Sequence, residues 1–207
     1  MIRLLAVMLL ASCSTKTEKA PERVEVYPSV LPPLATTAIT DACRDEAKAL
    51  GLTFGECTLI LAGSSLSEST WNVDKSCEAW GNPADPCCGL TQSRRSDARA
   101  VGLSCDPSER SKNGYKCNAA TGIRNLRCMA DNGETCDRWG PGRTLEIGIR
   151  KHLGGNQRAF PGYVETMRKT YNDEAVRRSF GAVDVREWEV ILRQRKTPGG
   201  RGEMFFR

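Results

Sequence analysis

Metal ligands are scarce in this chain of 207 residues. It holds one histidine, His152, and no Cys-x-x-Cys. The adjacent Cys87-Cys88 cannot easily ligate one ion together, so no metal site is expected. No recognition motif for nucleic acid occurs either. The basic residues are scattered, and a formal charge of +5 suits an anionic partner or plain solubility. The N-terminal apolar stretch, Leu4 to Ala11, would span only about 12 Å as a helix, against roughly 30 Å of bilayer core. It reads as a cleaved signal rather than a transmembrane segment. Strand signals are few and no internal repeat is visible, so a mainly α protein is expected.

Cysteine, by contrast, is abundant, with ten in the chain. Behind an export signal such a load favours disulfides over catalytic thiols. Leu10-Ala11-Ser12-Cys13 resembles a lipoprotein signal-peptidase site. That resemblance implies removal of residues 1–12 and a lipid anchor on Cys13, tying the protein to a membrane surface. Ser14 stands where an aspartate would favour the inner membrane, so the outer membrane is preferred. The alternative is an ordinary secretory signal whose cleavage region contains a cysteine. Without Cys13 nine cysteines remain, so one thiol is free or joined to another chain, unless Cys13 escapes lipidation. Short loops would close between Cys105 and Cys117 and between Cys128 and Cys136, and Cys43 with Cys57 would tie the first two helices. Spacing alone does not choose among the pairings.

Residues 13–37 read as anchor and flexible linker, since Tyr27-Pro28 and Leu31-Pro32-Pro33 block regular helix. Such a tether reaches at most about 80 Å. Residues 38–173 read as one compact domain, with helices at about 41–50, 56–68, 94–101, 118–131, 142–153 and 160–172. The second carries the near-continuous apolar band Leu59-Ile60-Leu61-Ala62, which suggests burial on most sides. Residues 76–89, rich in Gly, Pro and Cys, read as an irregular disulfide-bound loop holding a short hairpin. The tail, 174–207, adds one amphipathic helix with Val183, Val185, Trp188, Ile191 and Leu192 near a common face, packed against the domain.

Glu68 ends the apolar second helix in Glu68-Ser69-Thr70-Trp71-Asn72, and Gly89-Leu90-Thr91-Gln92 follows about twenty residues on. In this order the two motifs resemble the catalytic core of the soluble lytic transglycosylase family. The resemblance covers about residues 50 to 170 and implies a lysozyme-like domain, here with a cysteine-rich loop region. It implies cleavage of the β-1,4 bond between N-acetylmuramic acid and N-acetylglucosamine in peptidoglycan glycan strands, by one glutamate and without metal or organic cofactor. Glu68 would protonate the leaving oxygen. The substrate's N-acetyl group would stabilise the developing charge, and Glu68 would then act as base on the sugar's own hydroxyl, closing an anhydro ring. By the same resemblance Gly89, Leu90, Thr91 and Gln92 line the cleft opposite, the glycine admitting the sugar and Gln92 supplying an amide, while Ser69 supports the acid. Methionine is commoner at the position of Thr91.

A general acid must keep its proton near neutral pH, whereas free glutamate titrates at about 4.3. An apolar wall and the negative end of a helix dipole are the two features that would raise that value. On helical spacing Glu68 shares a face with Ser64 and Leu61. Trp71 reads as core packing, with stacking on a sugar as the alternative. The family's later motifs are poorly kept. Its Ala-Tyr-Asn-x-Gly segment is replaced by His152-Leu153-Gly154-Gly155, where His152 stands in for the missing tyrosine, and Phe160-Pro161-Gly162-Tyr163-Val164 resembles the closing helix, where Tyr163 reaches the cleft. Asp74, Asp85 and Asp97 are the spare carboxylates for a water-using lysozyme. The competing class is a non-catalytic lysozyme-like protein that grips glycan or docks in an envelope or phage virion assembly. The localisation expected is the cell envelope facing the periplasm, or a virion.

Overall fold

The computed structural model describes residues 30–75, 83–128, 144–153, 156 and 158–193. Within them lie eight α-helices: α1 (Pro33–Glu46), α2 (Phe54–Ser69), α3 (Arg95–Ala100), α4 (Lys112–Cys128), α5 (Leu145–His152), α6 (Phe160–Asn172), α7 (Glu174–Phe180) and α8 (Trp188–Arg193). The protein is mainly helical, as its sequence leads one to expect. The only extended pairing among the described residues is an antiparallel bridge between Cys88 and Ser93. Among the described residues no helix is long and apolar enough to cross a membrane. Cys13 and the signal-like segment lie outside the described residues, as does the Cys128–Cys136 pairing.

The first helix begins eight residues before its expected start, inside the stretch read as linker. Pro33 occupies the first helical position and Pro32 the cap. Neither position needs a backbone N–H, so the prolines start the helix instead of blocking it. Ala35, Ala38, Ile39, Ala42 and Cys43 then recur at three- and four-residue steps and are all buried.

At the centre of the molecule is α2. Thr53 caps it, accepting from the Glu56 amide at 3.2 Å while the Glu56 carboxylate accepts from the Thr53 amide at 2.8 Å. Leu59, Ile60, Leu61 and Ala62 are fully buried, as their apolar run foretells. The helix ends where Thr70 and Trp71 turn left-handed, at φ 56° and 62°. Its most extensive partner is α6. A Cβ on Gly63 would lie 2.8 Å from the Met167 Cα, so the two helices approach this closely because Gly63 has no side chain.

Two of the three suggested disulfides are present. Cys43–Cys57 joins α1 to α2 across a Cα separation of 5.6 Å, and Cys105–Cys117 ties the preceding loop to α4. Cys88 is also disulfide-bonded. Among the described residues Cys87 is the free thiol, and it accepts a hydrogen bond from Arg94 Nε at 3.0 Å.

The tail departs from expectation. Instead of one amphipathic helix there are two short ones, separated by a turn in which Gly181 has φ 60°. Asp173 caps α7 by accepting from the amides of Ala175 and Val176. Val183, assigned to the apolar face, is 85 % exposed and lies between the helices. Val176, Phe180, Trp188 and Ile191 are buried in the same core as α2, so that core runs past residue 173, where the sequence suggested a boundary. The Trp188 ring lies 5.4 Å from that of Tyr171.

Charge also fastens the tail. Arg186 grips the buried Glu56 carboxylate with both its Nε and Nη2, and its amide adds a longer contact of 3.3 Å. Burial would raise the Glu56 carboxyl. The Arg186 and Thr53 hydrogen bonds, with the Arg186 charge, outweigh it and hold Glu56 below the ordinary carboxylate value. Arg127 is buried nearby and donates to the Leu50 carbonyl at 3.1 Å. Burial and the Arg186 charge bring it down to about 10, with Glu56 opposing them.

Replacing Arg186 with Met keeps the aliphatic stem and leaves Glu56 without its cation. We expect a loss of about 3 kcal/mol at neutral pH in denaturant unfolding. Because the folded Glu56 value is depressed, the pair's contribution is complete above the ordinary value of 4.5 and fades as pH falls through the lower folded value. The gap between wild type and variant should therefore narrow on acidification, and a gap constant down to pH 2 would contradict the assignment.

Candidate functional site

The last two turns of α2 carry two polar side chains on one face, Ser64 and Glu68, four residues apart. Two other helices bring groups to them. From the end of α5, His152 places Nε2 at 2.8 Å from Glu68 Oε1. From the first turn of α6, Tyr163 places its phenol oxygen at 2.8 Å from Ser64 Oγ. The His152 and Tyr163 rings lie 5.9 Å apart. The Glu68 and His152 side chains are 20 % and 17 % exposed, respectively. The Glu68 side chain is therefore sheltered without being sealed from solvent. The three residues that the sequence singles out on α2, α5 and α6 form one cluster.

Tyr163 is buried, and burial is the main cause pushing its phenol well above the ordinary value. The Glu68 charge and a hydrogen bond to Glu68 add to the effect, while the Ser64 hydrogen bond opposes it. The phenol thus stays protonated, and it shares a hydrogen bond of 2.8 Å with the Ser64 hydroxyl. Ser64 was read as a piece of wall, but it orients the tyrosine. At the helix end Lys75 Nζ donates to the Glu68 carbonyl at 2.5 Å, setting a positive charge against the negative end of the α2 dipole.

Ser69 does not face the acid. Its hydroxyl points to the Leu90 carbonyl at 2.7 Å and the Ser65 carbonyl at 3.0 Å. This strut holds the Gly89–Gln92 segment against the end of α2. The segment itself is turned inward. Leu90 and Thr91 are buried at about 1 % exposure, so neither side chain lines an open cleft. Thr91 donates its amide to Asn118 Oδ1 at 2.8 Å, and its hydroxyl lies 2.8 Å from both the Asn118 carbonyl and Ser93 Oγ. Gly89 has φ 72°, and a Cβ there would lie 2.8 Å from Asn118 Nδ2. Glycine is needed for its own backbone and for α4, before any sugar. Gln92, at φ 47°, spends its amide on the Gly89 carbonyl at 2.8 Å. Gly89, Leu90 and Thr91 are buried whole and Gln92 is half-buried, so the first three do not line an open cleft as expected and instead pack the segment against α2 and α4.

The remaining candidates have structural roles. Trp71 is buried and donates Nε1 to the Ala62 carbonyl at 2.8 Å, which is the packing role expected. Asp85 and Asp97 accept backbone amides at the start of α3, from Arg95 at 3.0 Å and Arg94 at 2.9 Å. Asp74 accepts from the Tyr115 hydroxyl at 2.7 Å. Among the described residues no cluster of three His, Cys, Asp or Glu side chains could hold a metal ion.

Asn118 is the site residue that sequence reasoning passed over. It is buried on α4, and its Nδ2 donates to the carbonyls of Cys88 and Pro107 at 2.7 and 3.0 Å. One side chain thus ties three loop positions together. The only signal was a poor helix former inside an expected helix. Replacing Asn118 with Ala should cost about 2 kcal/mol or more, since it strands buried backbone groups. It should also speed hydrogen exchange at the Thr91 amide, and unchanged protection there would show that Asn118 does not hold the segment.

In comparisons with known proteins, no family model, no curated protein and no solved structure matches this chain.

Proposed function

We propose that this protein is a peptidoglycan lytic transglycosylase of lysozyme-like type, cleaving the β-1,4 bond between N-acetylmuramic acid and N-acetylglucosamine with Glu68 as acid and then base. The observation that carries the reading is the sheltered Glu68 carboxyl, which meets His152 at 2.8 Å and lies close to Tyr163. A single carboxyl held by fixed partners suits a reaction that needs one proton donor at the leaving oxygen. Asp74, Asp85 and Asp97 are all engaged elsewhere, which favours one-glutamate chemistry over a two-carboxylate lysozyme. Anchoring through an acylated Cys13 at the outer membrane belongs to the same proposal, as does a setting in wall remodelling or in phage lysis or entry.

One observation favours the second reading, a glycan-binding or envelope or virion assembly protein that does not cut. An imidazole on Glu68 Oε1 can hold the carboxyl as a paired anion, and a paired anion has no proton to give.

Digestion of purified sacculi by wild type and Glu68→Gln separates the two. The proposal expects soluble muropeptides with anhydro ends from wild type, by mass spectrometry. For the variant it expects a loss of about a hundred- to ten-thousand-fold. Equal release by both proteins would remove Glu68 from the chemistry, and release by neither would favour the binder. Reducing ends in place of anhydro ends would mean hydrolysis.

A further inference from the structure

Resting on the reading of Glu68 as the acid, we infer that His152 is a positioning residue for that carboxyl rather than a group that binds glycan. Glu68 lies at the exposed end of α2 on a side chain with three rotatable bonds, so its plane must be fixed from outside its own helix. His152 Nε2 meets Oε1 at 2.8 Å. The helix that brings it is firmly seated, since Leu145 and Ile149 on α5 are fully buried. The imidazole has little left to offer a sugar. Its side chain is 17 % exposed, and the nitrogen facing the site is occupied by the glutamate. Tyr163 flanks it at 5.9 Å between ring centres and is itself held by Ser64. The carboxyl is thus oriented by α5 and α6 together. Either protonation arrangement keeps the contact, because a neutral imidazole nitrogen accepts from a carboxylic acid and an N–H donates to a carboxylate. Losing that restraint costs orientation in the transition state while leaving the glycan's contacts in place.

Two variants test this on the full chain with purified sacculi. His152→Phe keeps the ring and removes the nitrogen. His152→Gln removes the ring and restores an N–H at similar reach. The expected result is a kcat about ten-fold or more lower for His152→Phe with KM nearly unchanged, and substantial recovery in His152→Gln. A rise in KM at constant kcat would instead make His152 a glycan contact. Equal damage in both variants together with a lowered melting temperature would make it merely structural. Either result overturns the inference. A readout independent of activity comes from His152 being the chain's only histidine. Its ring nitrogens give one unambiguous set of tautomer-sensitive 15N resonances, which should move on Glu68→Gln. If wild type releases no muropeptides, the transglycosylase reading fails, while moved resonances still establish the pair. If the resonances stay in place, the pair is absent in solution and the inference falls, whatever the activity.

Discussion

Everything at the candidate site depends on how closely α2 and α6 pack. At Gly63 the backbones come so near that even one methyl group would meet the Met167 Cα at 2.8 Å. That approach sets Tyr163, at the other end of α6, over Ser64 at 2.8 Å. It also turns the last, half-open turn of the central helix toward α5. A helix with Leu59, Ile60, Leu61 and Ala62 fully buried has little freedom to rotate. The direction in which Glu68 projects is therefore a consequence of core packing, laid down two turns before the residue itself.

The molecule's buried polar groups fall into two sets with different uses. Glu56, Arg186 and Arg127 lie toward the start of α2, where Glu56 both caps the helix and receives the tail. Their arrangement is closed, with the anion shared between a guanidinium and a backbone amide. Ser64, Glu68, His152 and Tyr163 lie at the other end, and there the Glu68 side chain keeps partial exposure. One helix thus carries a carboxylate spent on stability near its start and one left accessible near its end. Burial alone does not distinguish them by type. The partner does, since a fixed arginine holds a charge permanently whereas an imidazole can donate or accept a proton.

The Gly89–Gln92 segment illustrates how a motif can be legible while its physical role is not. Its position beside Glu68 was expected, and the Ser69 hydroxyl bonded to the Leu90 carbonyl accounts for it. The side chains, however, face inward to Asn118, which no local pattern links to them. Gly89, Leu90 and Thr91 are buried main chain and side chain alike, and Gln92 is half-buried. A motif quoted as four cleft-lining side chains is here largely interior packing.

Local order was open to reading from the chain alone. The period of apolar residues located α2 and α6, the latter at its observed limits of 160–172, a short loop suggested the Cys105–Cys117 bridge, and Cys43–Cys57 was suggested as a tie between the first two helices. These features arise from interactions among residues near in sequence, which is where periodicity and loop closure act. The tail was read less well, since Val183 and Val185 were placed on one helical face with Trp188, whereas α8 begins only at Trp188 and a separate α7 precedes Gly181. Only the folded arrangement could decide that Glu68 meets a histidine 84 residues away, that Ser64 meets a tyrosine 99 residues away, and that Arg186 closes on Glu56 across 130 residues. Such meetings follow from how closely and at what angle helices pack, and that depends on side-chain volumes across the whole core, so no single stretch of sequence contains it.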